Sequence, residues 1–153
     1  MVDLALLAPV PEKHLISGLK TCAQQGKVAF GTRSFEPFAR LRDAKAIGCD
    51  VYLYASHSAE PGPPKASWKG RYLGYVDAKN GAHPEGMKFR PETTLEGETD
   101  NKGHWFLFWE ISDLRKLDEG EARLISHLRG ETSKSNYKAA FIPEGPLVIQ
   151  APS

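Results

Sequence analysis

The stretch G48-CDVYLYASHSAEPGPPKASWKGRYLGY-V76 decides the fold. Its two ends alternate and carry aromatic and β-branched residues, as strands do, and its middle is rich in proline and glycine without any periodicity. It reads as a long hairpin with strands at Asp50–Ser56 and Trp68–Ala78. A tight hairpin needs only about two to five loop residues, so a longer connection asks for a function.

Outward from the hairpin, alternating elements are predicted. A short strand covers Asp3–Val10, and a helix opens at Pro11-Glu12, repeats apolar residues at Leu15, Ile16, Leu19 and Cys22, and stops at Gly26. Lys27–Phe30 is a second strand. Phe38, Leu41, Ala44 and Ile47 then recur at helical steps, predicting a helix over Phe35–Ile47 that Gly48 ends. Lys79–Gly103 is loop-like, with one short strand at Met87–Arg90. HWFLFWEI, His104–Ile111, is the most apolar strand and suits a sheet covered on both faces. A short helix over Glu119–Leu128 and a closing strand at Pro146–Gln150 complete the chain.

The 153 residues suit a single domain, 1–153, with 41% hydrophobic and 25% charged residues. No apolar run is long enough for a membrane span. The opening MVDLALLAPVP lacks the basic start of a secretory signal, so a cytoplasmic location is expected. Cys22 and Cys49 complete no zinc-ligand pattern and read as small buried hydrophobes. No cofactor is expected. A net charge of +1 argues against a bulk polyanion binder and leaves room for a local basic face.

Two residue sets carry chemistry. Arg33 stands at a strand-to-helix turn, where a guanidinium and free backbone amides can meet a phosphate or a base; an ion pair to Glu36 or Asp50 is the competing role. On a strand, Trp105, Leu107 and Trp109 share one face, so the two tryptophans are either walls of a pocket or core. Tyr54 and Ser56 alternate on the hairpin and offer hydroxyls to a base edge, and His57 leads the loop. Lys65, Trp68, Lys69 and Arg71 interleave cations with an aromatic, a pattern that grips a nucleic-acid backbone by charge and stacking.

GTRSFEPFARLRDAKAIGCDVYLYASHS resembles the signature of the EVE family of the PUA-like superfamily. In that family a Gly-x-Arg-Asn turn opens a helix leading to Gly-Asp, an apolar strand and Tyr-His-Ser. Gly31-Thr32-Arg33-Ser34, Gly48-Cys49-Asp50 and Tyr54-Ala55-Ser56-His57-Ser58 take those places. GHWFLFWEISDL is similar to the late aromatic strand of the related YTH domains. Ser34 replaces the asparagine, and Ala29-Phe30 stand where a tryptophan is usual.

The resemblance implies an α+β fold, a PUA-like small curved β-barrel with helices packed outside. It implies binding of DNA or RNA carrying a modified base held in an aromatic pocket. Together with the residue patterns above, this makes Gly31, Thr32, Arg33, Ser34, Tyr54, Ser56, His57, Trp68, Trp105 and Trp109 the expected ligand-binding residues and Lys65, Lys69 and Arg71 the expected phosphate contacts. A nuclease or other effector is a conceivable partner. The alternatives are an ASCH-like amidohydrolase acting on a modified nucleoside, for which Lys27, Thr32, Arg33 and Glu36 are the available cluster, and a protein or small-ligand interaction module. No Gly-x-Ser-x-Gly, Walker or HExxH motif is present, so a binding role is preferred over an enzyme.

Overall fold

The structure, a computed structural model, describes residues 3–97 and 100–152. It contains β1 (Leu4–Pro11), α1 (Glu12–Gln25), β2 (Val28–Thr32), α2 (Glu36–Asp43), β3 (Asp50–Ser56), β4 (Lys65–Asp77), β5 (Leu107–Lys116), β6 (Arg123–Leu124) and β7 (Leu147–Gln150). Single 3-10 turns lie at Glu92–Glu96 and Ile125–His127. No helix among the described residues is long and apolar enough to cross a membrane.

The strands form one mixed sheet in the order β2-β5-β4-β3-β1-β7, with β6 paired to β4. β3 and β4 are the hairpin read from the sequence, and β1 joins β3 in parallel through α1 and α2. Register shifts at Leu53/Tyr54, Lys69/Arg71 and Tyr72/Gly74 insert bulges that bend the sheet. The expected barrel is corrected to an open curved sheet. Its edges, β2 and β7, do not pair with each other among the described residues.

An open sheet also changes where the helices sit. Leu15 of α1 and Phe38 and Leu41 of α2 join the main core with Leu6, Val51, Leu53, Trp68, Tyr72 and Trp109, so both helices cover one face of the sheet instead of ringing a barrel. The opposite face is covered in two patches. Ile125, Leu128 and Tyr137 pack on Leu7, Tyr52 and Ile149, and Phe89 packs on Ala29 and Phe108.

Local chemistry explains where the elements start and stop. Gly26 takes φ 82° and donates its N–H to Cys22 O, ending α1 where expected. α2 stops at Asp43 although Ala44 and Ile47 continue the apolar spacing, because Lys45 turns to φ 54° and Ala46 and Cys49 carry the chain back toward β4. β4 begins three residues earlier than expected, since Lys65 and Ala66 are held by β6.

Three expectations are corrected. Met87–Arg90 is a turn closed by Arg90 N–H to Met87 O at 3.1 Å, with no strand. Glu119–Leu128 is not a helix: Ile125 N–H donates to Pro64 O at 3.0 Å, and the i, i+3 pair Ile125 and Leu128 fits a 3-10 turn equally well. The late aromatic strand runs from Leu107 to Lys116, shifted downstream because its polar end, Ser112 to Lys116, pairs with Trp68 to Arg71.

Candidate functional site

The gap between the two sheet edges holds a cavity of about 400 Å³, a volume within the ligand-pocket range. One wall is the end of β2 and the following turn, Phe30 to Ser34; the facing wall is Pro9 to Pro11 with the segment that enters β7, Glu144 to Pro146. A Cβ placed on Gly145 would lie 3.6 Å from Ser34 Oγ, so the walls meet at the rim. His14, Arg90, Asp100, Trp105 and Trp109 close the remaining sides.

Trp105 is the aromatic wall. Its ring rests on Gly31, where an added Cβ would come within 2.5 Å of Cγ, and its Nε1–H donates to Asp100 O at 2.7 Å. Asp100 is itself held. The buried Arg90 guanidinium donates to Asp100 Oδ1 at 3.3 Å, to Ala29 O at 2.8 Å and to Asn101 Oδ1 at 3.1 Å, while lying 4.9 Å from the Phe108 ring centre. Burial lowers the Arg90 pKa to about 10, against the opposing pull of Asp100, so the group stays charged at neutral pH. Its donors are committed to the protein, which makes Arg90 a positioning residue.

His14 supplies a titratable edge. Its Nδ1 lies 2.7 Å from Thr93 Oγ1 and its Nε2 3.9 Å from Asp100 Oδ2. Burial lowers its pKa, only partly offset by Asp100, so a neutral imidazole faces the cavity at neutral pH. Trp109 Nε1 is buried without a hydrogen-bond partner in the described structure, and Glu144 brings an exposed carboxylate to the mouth. The site thus combines one fixed aromatic ring, one neutral histidine and a hydroxyl from Ser34, with the enclosed Trp109 indole behind them.

The sequence-derived candidates divide between this cavity and other places. Gly31, Thr32, Arg33, Ser34, Trp105 and Trp109 line it together. Trp105 and Trp109 do not share a strand face, because Trp105 precedes β5 and packs toward Ala29, Phe89 and Phe108 while Trp109 belongs to the main core beside Phe30 and Phe38. Trp109 is 1% exposed and Trp68 2%, so each is enclosed in the core, and Trp68 offers no open face for stacking. Tyr54 and Lys65 border a separate cavity of about 300 Å³ near Ile142. Ser56 pairs with Pro11 in the sheet, and His57 turns the hairpin with φ 56° and an exposed ring.

The cations divide in the same way. Arg33 is exposed and makes no ion pair in the described structure; its guanidinium sits 5.1 Å from the Phe106 ring centre. The helix start behind it is a poor anion site, since Glu36 and Pro37 place a negative charge and a missing N–H in the first turn. Lys69 pairs with Asp50 at 3.5 Å and Arg71 with Asp113 at 3.9 Å. Lys27 is bound to the buried Glu110 at 3.0 Å, with His83 on the other carboxylate oxygen at 3.2 Å, so it is committed away from Thr32 and Glu36.

Sequence reasoning missed His14, Asp100 and the part played by Arg90. The available signal was Arg90 set between Phe89 and Pro91, a cation in apolar surroundings that burial would force to find partners.

No family model matches the chain, and no curated protein matches it. Among solved structures it is similar to a protein from Pseudomonas syringae, with 13% identity, 75% of this chain and 70% of that one covered, and a TM-score of 0.44. A protein from Pseudomonas putida is similar at 17% identity, with 76% and 74% covered and a TM-score of 0.42. Human THYN1, solved in complex with 5-methylcytosine-containing DNA, is similar at 18% identity, with 74% and 67% covered and a TM-score of 0.42.

Proposed function

We propose that the chain acts as one PUA-like domain that binds DNA or RNA and takes a single modified nucleobase into the cavity between the sheet edges. The supporting observation is the Trp105 wall, placed on Gly31 and tied through Asp100 to the buried Arg90. A base removed from its stack needs an aromatic surface for its face and a few fixed polar groups for its edge. Trp105 supplies the first. His14 and Ser34, which also line the cavity, supply the second. The resemblance of Gly31 to Ser34 to the EVE turn supports the same reading, because that turn forms one side of the cavity.

In this proposal Gly31 and Thr32 shape the wall, and Arg33 meets the phosphate beside the captured base. Trp109 backs the cavity from the core and offers no stacking face. The test is a binding screen of the wild type and Trp105→Ala against one oligonucleotide sequence carrying 5-methylcytosine, 5-hydroxymethylcytosine, N6-methyladenine or no modification, at two salt concentrations. Selectivity for one base that survives added salt in the wild type, and disappears in Trp105→Ala, is expected. Equal affinity for every probe, falling with salt alone, would leave the cavity without this role.

A further inference from the structure

Two exposed rings flank Arg33 at the cavity mouth, Phe106 beside it in space and Phe35 two residues on in the chain, and neither lines the cavity. Phe106 is 56% exposed and Phe35 45%, although aromatic side chains this large ordinarily bury most of their surface. Each ring is accompanied by a cation. Arg33 lies 5.1 Å from the Phe106 centre, and Arg42 lies 5.9 Å from that of Phe35 while donating to Tyr75 Oη at 3.1 Å. Tyr75 meets Phe35 edge to face at 6.0 Å. Arg33 lines the cavity as well, so the strip these groups form starts at the cavity mouth. Two carboxylates belong to the same helix: Asp43 pairs with Arg42 at 3.3 Å, and Glu36 is exposed in the first turn.

We infer that this strip is a track for an unpaired nucleic-acid strand, with Phe106 and Phe35 stacking the nucleotides that flank the captured base and Arg33, which no acid opposes in the described structure, facing their phosphates. The occupant follows from the chemistry. Exposed rings beside an unopposed guanidinium group match the faces and the backbone of a single strand, whereas a duplex hides the faces of its bases in its own stack. Such stacking tolerates any sequence because every base has a π-face, so the strip adds affinity without selecting the modified base.

The inference rests on the pocket reading for its geometry, and its test separates the two. The probes are a mixed-sequence DNA 10-mer with a central 5-methylcytosine, the same 10-mer unmodified, and the duplex of each, measured by fluorescence anisotropy at moderate and at raised salt. Phe35→Ala and Phe106→Ala are each expected to weaken both single strands equally, by about five- to 150-fold. Phe106→Trp, which keeps a stacking face, is expected to retain wild-type affinity. The wild type should hold single strands more tightly than duplexes at raised salt. Alanine variants within twofold of the wild type on single strands would overturn the track, as would equal affinity for duplex and single strand or a Phe106→Trp as weak as Phe106→Ala. A wild type blind to the modification, with the alanine variants still weak, would reject the pocket's selectivity for 5-methylcytosine and keep the track.

Discussion

The Trp105 indole and Gly31 are in such close contact that a Cβ on Gly31 would lie 2.5 Å from Cγ and 2.6 Å from both Cδ1 and Cδ2. Real side chains do not approach so closely. Gly31→Ala therefore has to push the indole off β2, and overpacking of this kind costs about 1–3 kcal/mol. Denaturant unfolding should show that loss, and competition binding should show a larger proportional loss of base selectivity than of total affinity. An alanine variant with wild-type selectivity would mean that the wall is not set by this contact.

Arg90 should matter more for stability than an arginine usually does. Arg90→Met leaves Ala29 O and Asn101 without their donor and Asp100 without its cation. Breaking a buried charge pair costs about 3–5 kcal/mol, and the partial exposure of Asp100 puts the expected value near the lower end. A shift in the urea midpoint at unchanged slope would register it. A variant as stable as the wild type would show that the clamp is dispensable.

His14 gives the fold a pH dependence of defined sign. Its pKa is lowered in the folded state by burial, while in the unfolded chain it titrates near 6.5. Between the two values the unfolded chain binds more protons, so the stability present above about pH 6.5 is lost as the pH falls through that window. Urea titrations at about pH 7.5 and pH 5 should show a larger drop for the wild type than for His14→Gln. Equal drops would place the sensitivity elsewhere.

The parts of this fold that local chemistry controls were legible in the sequence. The β3 limits, Asp50 and Ser56, follow from alternation, and the end of α1 follows from Gly26. Misreadings arose where a pattern suited two structures. The spacing of Ala44 and Ile47 continues a helix that Lys45 breaks with a positive φ, and Ile125 with Leu128 suits a 3-10 turn as well as an α-helix. In the cavity, Gly31 to Ser34 were readable because they lie together in one turn. His14, Arg90 and Asp100 were not, since they come from separate segments and only the folded chain brings them together. Nor could residue type show that Lys69 and Arg71 sit beside Asp50 and Asp113 across the sheet.

Those ion pairs lead to a prediction about salt. Arg33 has no carboxylate partner in the described structure, so a phosphate can take it without displacing a neighbour. Arg33→Ala should weaken oligonucleotide binding by about 1–3 kcal/mol and reduce the slope of log affinity against log salt by about one unit. Lys69→Ala and Arg71→Ala should change that slope less, because each cation is already opposed by an acid. Equal slope changes at all three positions would extend the phosphate contact to the hairpin.

Base capture by the Trp105 wall is decided by comparing Trp105→Ala with Trp109→Ala in denaturant unfolding and in competition between modified and unmodified oligonucleotides. Trp109 is 1% exposed and packs on Phe30 and Phe38, so its truncation should cost about 3–5 kcal/mol of stability. Trp105 is half-buried at the cavity wall, so its truncation should cost less stability and remove stacking worth about 1–3 kcal/mol, erasing the preference for the modified base while phosphate-driven affinity persists. The expected result is a folded Trp105→Ala protein that binds without discrimination. A folded Trp105→Ala protein that still prefers the modified base as the wild type does would contradict base capture by this wall.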